Sequence, residues 1–427
     1  MPDHVILAAG PSLADATYET RYAATRAVSR AIAAPLAVED MVVQAMPDTS
    51  PTKWHLAHVT WFFETFVLAR FVPGYRCFDA DYAFLFNSYY EGAGDRHARP
   101  ERGLITRPTV AEVLDYRDYV DAAMARLLAE VPDNAEVAQL VELGINHEQQ
   151  HQELMLMDIL NLFSRNPLRP TYVAASAMPQ EMVAGDATWR FFDGGLYDIG
   201  FDGNGFSFDS EQPRHRVYLQ PFAIADRLVT NGEWLAFMED GGYRRHDLWL
   251  ADGIARVRAD GWGAPLYWFD DPHDGWCEMT LHGKQPINPT APVGHVSFFE
   301  ADAFARWSGH RLPTEAEWEV ASTDLPPTGN TLGQGHLRPL PAGAGGHDQM
   351  FGDLWEWTAS PYVAYPGFTP PPGVVGEYNG KFMSGQMVLR GGACVTPDEH
   401  LRATYRNFFY PHQRWAFTGL RLAKDVR

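Results

Sequence analysis

Cysteine is almost missing from this chain: Cys77, Cys277 and Cys394 are the three in 427 residues, odd in number and far apart. That argues against both a disulfide framework and a thiolate zinc site. Basic residues are short as well, 34 Lys and Arg against 54 Asp and Glu, giving a net charge of −20 and a pI near 5.2. Such a surface repels nucleic acid and anionic membranes, which leaves small molecules as the expected partners. No apolar run reaches the ~18 residues of a membrane-spanning helix. The start, Met1-Pro2-Asp3-His4, has no basic region ahead of its short apolar stretch, so a secretory signal is not expected and a cytoplasmic protein is. Low-complexity tracts and convincing internal repeats are also missing. What is there is ordinary for a globular protein, 46% hydrophobic and 13% aromatic, with length enough for two domains that each bury a core.

The patterning changes along the chain. Residues 18–33, 51–70, 109–130 and 135–163 each carry apolar positions at helical spacing, and four such segments predict an antiparallel bundle. Ser50 as N-cap with Pro51 at the first helical position predicts the start of the second helix. The connection over residues 71–108 is long for a bundle, and long ordered loops tend to carry function. It holds Phe86-Asn87-Ser88-Tyr89-Tyr90-Glu91-Gly92 and the arginines Arg96, Arg99 and Arg102. Asn166-Pro167 ends the last helix. We expect a first domain over 11–170, a linker over 171–188 and a second domain over 189–427. In that second domain Gly, Pro and Trp are frequent and short alternating runs such as His215-Arg216-Val217-Tyr218-Leu219 predict short strands between long loops.

The chemistry-bearing feature of the helical half is Asn146-His147-Glu148-Gln149-Gln150-His151. Within the stripe Leu140, Gly144, His147, His151, Leu154 and Asp158, steps of four and three place both imidazoles on one inward helix face, which is metal-ligand spacing. Two buried rings one turn apart need hydrogen-bond partners or a cation, because each leaves a nitrogen to satisfy. The letters His-Glu-x-x-His also occur in zinc proteases, but many helices hold them by chance. A third ligand is available from His55 or His58, one turn apart on the second helix; spacing alone does not choose between them. For His55 the plain expectation is a ring near the helix start bonded to solvent or backbone. Three neutral imidazoles suit a redox iron with positions left for substrate and oxygen. They also suit zinc with one open position, hence a hydrolase or thiol transferase.

In the second half, Leu312-Pro313-Thr314-Glu315-Ala316-Glu317-Trp318-Glu319, Gly352-Asp353-Leu354-Trp355-Glu356-Trp357, Leu389-Arg390-Gly391-Gly392 and Gly419-Leu420-Arg421 follow in order. Together they resemble the C-type-lectin-like domain of the formylglycine-generating, sulfatase-modifying family. Formylglycine chemistry uses a close cysteine pair, and only Cys394 stands in the relevant segment. A lectin-like fold alone would also suit a non-catalytic binding module. The first half is similar to a DinB-type bundle, and Leu56-Ala57-His58 with His147 and His151 matches the iron ligands of the ergothioneine-biosynthetic sulfoxide synthases. The overall expectation is an α+β chain, a DinB-like four-helix bundle followed by the lectin-like domain.

That resemblance selects His58 over His55 and implies an Fe(II) enzyme that uses O2 to join hercynine (Nα-trimethylhistidine) to cysteine or γ-glutamylcysteine through a C–S bond and a sulfoxide. A selenium-transferring homologue is a variant within the same family. The resemblance also implies that Tyr89 or Tyr90 delivers a proton or electron, and that Arg96 and Arg99 hold the carboxylate of the thiol. Gln150 would hold the hercynine imidazole, while Asn407, Phe408 and Phe409 would close over its carboxylate and trimethylammonium, for which an amide and aromatic faces are apt. Relatives of mycobacterial type have an aspartate where this chain has Phe409, and the pattern here looks more like the branch that accepts free cysteine.

Overall fold

The computed structural model describes residues 16–175, 185–343, 349–377 and 379–426. The chain divides into two compact units, Met1–Val173 with Pro372–Tyr378, and Ala174–Pro371 with Asn379–Arg427. Composition gave no hint that residues 372–378 would group with the first. Among the described residues no helix is long and apolar enough to cross a membrane.

Four long helices build the first unit: α1 Tyr18–Ala33, α2 Thr52–Phe63, α3 Val110–Glu130 and α4 Ala135–Arg165. Their starts are set by side chains that satisfy otherwise open amides. Thr17 accepts from the Thr20 amide, Thr109 and Glu112 form a reciprocal capping box, and Asn134 accepts from the Glu136 and Val137 amides. The second helix departs from expectation. Pro51 has extended backbone, φ −60° and ψ 144°, and stands as N-cap, so the helix starts at Thr52. Ser50 is occupied elsewhere: its amide donates to Asp158 and its hydroxyl accepts from Arg102. The helix continues past Phe63 through a π-turn at Glu64–Leu68 into Ala69–Phe71, a widening that recurs at functional sites.

Every residue of α2 is buried, which makes it the central helix of the unit. The approach of α4 depends on Gly144, where an added Cβ would lie 2.4 Å from the Phe63 ring and 2.9 Å from that of Phe62. No side chain fits at that crossing, one turn before His147.

The second unit is α+β. Its sheets are β1-β4-β12, β10-β9-β8-β11, β2-β3 and β5-β6-β7. These use β1 Trp189–Phe192, β2 Gly195–Ile199, β3 His215–Leu219, β4 Phe222–Ala225, β5 Trp268–Asp271, β6 Gly275–Thr280 and β7 Gly283–Pro286. They are completed by β8 Trp355–Pro361, β9 Met387–Arg390, β10 Asn407–Phe409, β11 Thr418–Gly419 and β12 Ala423–Asp425.

The motif strings read from the sequence prove to carry two sets of buried polar contacts that share one helix. Thr314 and Glu317 cap the helix Glu315–Ser322, and Trp318 Nε1 donates to Glu356 of β8 at 3.0 Å. Arg421 grips the same Glu356 at 2.9 Å with two nitrogens. Arg390 of β9 donates to Glu315 and pairs with Glu319, while Arg406 holds both oxygens of Glu315. Buried charges are tolerated only when paired and hydrogen-bonded, and each of these letters supplies the partner another one needs.

Candidate metal centre

Two helices of the first unit supply a tight cluster of imidazoles. His58 of α2 and His147 and His151 of α4 each offer one ligand atom, and these atoms all lie within 4.8 Å of one another. All three rings are buried, at 0%, 1% and 8% exposure. His58 Nε2 and His147 Nε2 are 3.2 Å apart; two nitrogens that bind one divalent ion at about 2.1 Å stand about 3.0–3.4 Å apart. The donor set therefore fits a metal.

The surroundings fix the rings and keep them neutral, the form that ligates metals. His58 Nδ1 donates to the Phe86 carbonyl at 2.6 Å, which leaves Nε2 as its lone-pair nitrogen. The ring lies parallel to Trp54, 4.6 Å away, and to Trp61, 5.7 Å away, one turn to either side on α2. Burial pushes the His147 pKa down to about 3, and burial followed by neighbouring histidines holds His58 and His151 well below the ordinary imidazole value.

His55 is not the solvent- or backbone-bonded ring expected from its place near the helix start. It is 3% exposed, its Nδ1 lies 2.8 Å from His151 Nδ1 and its Nε2 lies 3.0 Å from Asp158 Oδ2. Because α2 is buried on every side, a histidine one turn from His58 faces α4 and not water. Glu148, the acid of the His-Glu-x-x-His pattern, points away from the cluster. Its oxygens accept from Ser29 at 2.6 Å, Arg26 at 2.8 Å and Arg117 at 3.1 Å. Burial alone would raise its pKa, but Arg26 and Arg117 bring it down to about 2. A carboxylate so engaged is a strut, and the zinc-protease arrangement is not formed.

The long loop packs against the same region. Tyr90 is fully buried, with its ring 5.8 Å from Trp61 and 5.2 Å from Phe66; Tyr89, half-buried, stacks on it at 4.6 Å. Asn87 ties the turn by donating to the Tyr90 and Gly94 carbonyls, and Glu377 accepts the Glu91 and Gly92 amides at 2.9 Å. Arg96 is exposed and pairs with Glu91, and Arg99 is exposed and donates to the Asp48 carbonyl. Arg102 was named with the other loop arginines but given no role from sequence. It is 4% exposed, with its guanidinium 3.4 Å from the Trp54 ring centre and donating to Ser50 and Ser88 hydroxyls. No carboxylate pairs with it among the described residues. Its one signal in the sequence was the three-residue step from Arg99, which aligns side chains on a 3₁₀ turn such as Arg99–Leu104.

Gln150 sits half-buried on α4 beside His151. Asn407, Phe408 and Phe409 form β10 of the second unit. Phe408 stacks on Tyr362 at 4.2 Å, Phe409 meets Trp415 edge-on at 5.5 Å, and Asn407 Oδ1 accepts the Phe408 amide. Cys277 and Cys394 are buried and Cys77 is exposed.

Comparison with known proteins matches residues 176–333 and 334–426 to the sulfatase-modifying factor enzyme 1-like domain and residues 21–155 to the DinB superfamily. A hercynine oxygenase of Mycobacterium tuberculosis is 35% identical over 416 residues, covering 91% of this chain and 94% of that protein. One from Mycolicibacterium thermoresistibile is 34% identical, covering 89% and 88%. A formylglycine-generating enzyme of Streptomyces coelicolor is 30% identical over 273 residues, covering 52% of this chain and 84% of that protein.

Proposed function

Because the chain belongs to the hercynine oxygenase family, we propose that it is an iron-dependent enzyme that couples hercynine to cysteine with O2, holding the metal on His58, His147 and His151. The observation that carries this reading is the buried cluster of three neutral imidazoles from two helices. Iron, when bound there, supplies redox chemistry toward dioxygen and acidifies a coordinated thiol. The overall reaction balances as hercynine C–H plus cysteine S–H plus O2 giving a C–S bond, one sulfoxide oxygen and one water. Each of the two oxidations releases two electrons and O2 accepts all four.

The chain's own groups have distinct tasks. The dry, aromatic walls made by Trp54, Trp61 and Phe62 exclude water from the imidazoles and hold them rigidly. Tyr90, or Tyr89 stacked upon it, carries the phenolic proton that the reaction requires on the loop side. Arg96 and Arg99 present forked donors suited to the carboxylate of the thiol substrate. Gln150 offers an amide to the hercynine imidazole. Asn407, Phe408 and Phe409 provide an amide and aromatic faces for its carboxylate and quaternary ammonium. Phe409 has no charge to offer a γ-glutamyl ammonium, which favours free cysteine as sulfur donor.

The test is incubation of the full chain with Fe(II), hercynine, cysteine and 18O2, followed by mass analysis. A coupled product whose mass is the sum of both substrates less two hydrogens plus one labelled oxygen is expected. Parallel arms with γ-glutamylcysteine and with a selenium donor assign the natural partner. Absence of any coupled product with all three donors, from protein that retains iron, would defeat the reading.

A further inference from the structure

The α2–α4 contact holds a chain of hydrogen bonds that reaches the cluster from behind. On α4, His151 and Asp158 lie two turns apart on one face; on α2, His55 precedes His58 by one turn. Asp158 Oδ2 accepts the Ser50 amide at 2.8 Å and stands 3.0 Å from His55 Nε2. His55 Nδ1 stands 2.8 Å from His151 Nδ1. The members are 8%, 3% and 8% exposed, so the chain of contacts is shielded from bulk solvent.

We propose that His55 and Asp158 are positioning residues that fix which nitrogen His151 presents to the metal, an inference that rests on the reading of His58, His147 and His151 as ligands. A carboxylate oxygen that already takes an amide N–H has only lone pairs to offer, so His55 Nε2–H donates to it. The neutral His55 ring then has its lone pair on Nδ1. Between His55 Nδ1 and His151 Nδ1, the proton must therefore sit on His151. His151 is left with its lone pair on Nε2, the nitrogen not engaged by His55. The backbone does the same for His58, whose Nδ1 is bound by the Phe86 carbonyl. One ligand is thus oriented by a carbonyl and a second by a side-chain relay anchored at the start of α2. Such outer partners raise ligand basicity and fix ring orientation, and their loss typically costs about 10–100-fold in metal affinity.

The experiment uses the full chain without oxygen, with cobalt(II) as probe. His55→Phe keeps a ring in the space but removes the acceptor, and is expected to weaken cobalt binding about 10–100-fold and to shift the visible bands of the bound ion. His55→Gln, whose amide oxygen accepts the Nδ1–H, is expected to recover part of both. In zinc-loaded wild type labelled with 15N-histidine, long-range proton–nitrogen spectra are expected to show His151 protonated on Nδ1 and metal-bound on Nε2. That readout does not depend on any variant folding. A wild type that takes up neither metal overturns the ligand reading and this inference with it. Metal on His151 Nδ1, or a folded His55→Phe that matches wild type in affinity and spectrum, overturns this inference alone.

Discussion

Replacing Glu148 with glutamine separates a structural acid from a reactive one. The carboxylate is fully buried between Arg26 and Arg117, themselves buried, and accepts from both and from Ser29. Removing its charge leaves Arg117 with no carboxylate among the described residues and Arg26 with Asp121 alone, and breaking such a buried pair typically costs about 3–5 kcal/mol. A second route gives a similar figure. The glutamate pKa falls from 4.5 to about 2 on folding, which at ~1.4 kcal/mol for each tenfold change is about 3 kcal/mol of stability at neutral pH. The sign follows from the depressed folded value: the contribution is complete above about pH 4.5 and is lost as pH falls toward 2. Native-state hydrogen exchange at pH 7 is expected to show α1, α3 and α4 amides opening about 100-fold more often in Glu148→Gln, since 3 kcal/mol is roughly two powers of ten. The gap in denaturant midpoint between wild type and variant narrows as pH drops below 4.5. Unchanged exchange together with lost turnover would refute the strut and point to a catalytic role for Glu148.

Three further outcomes are expected. His58→Ala, His147→Ala and His151→Ala each lose stoichiometric iron by elemental analysis, because two protein donors hold a divalent ion poorly; retention of iron by any one removes that residue from the ligand set. Tyr89→Phe or Tyr90→Phe lowers sulfoxide formation about 100-fold with little change in substrate affinity and with leakage toward oxidation of the thiol, and identical rates and product ratios in both single variants and the double variant would clear the tyrosines of that role. With cysteine and γ-glutamylcysteine at equal concentration, cysteine is consumed at least as fast. A missing charge-assisted contact is worth about 1.5–3 kcal/mol, tenfold or more, so a preference for γ-glutamylcysteine that persists in Phe409→Asp would defeat the argument.

Much of the helical half was legible because helix periodicity and burial are local in sequence. The stripe through Gly144, His147, His151 and Asp158 is the face that α4 turns inward, with Leu154 only half-buried at its edge. The start of α2 was misread by one residue because Ser50 has two competing uses, and its partners Asp158 and Arg102 are 108 and 52 residues away. Local capping preference loses to such long-range bonds. His55 was misjudged for a related reason. Its letters place it in a first turn, but its exposure is decided by three helices and a loop that sequence does not position. Arg102 was named without a role because burial of a cation without a carboxylate is rare enough that composition offers no pattern for it. In the second half the motif letters were legible while their reason was not, since the pairs join residues far apart in the chain.

That wiring has a consequence for how the second unit assembles. Arg406 and Glu315 are 91 residues apart, Arg390 and Glu315 are 75, and Arg421 and Glu356 are 65. A chain that collapsed around only some of these would bury an unpaired charge, so a half-formed nucleus is penalised and ordering is pushed toward a single late, concerted event. Folding of this unit should accordingly be slow and cooperative. The connecting segments stand outside that wiring, and because closing a longer loop costs only about 0.6 kcal/mol per doubling of its length, their lengths can change at little cost to the unit.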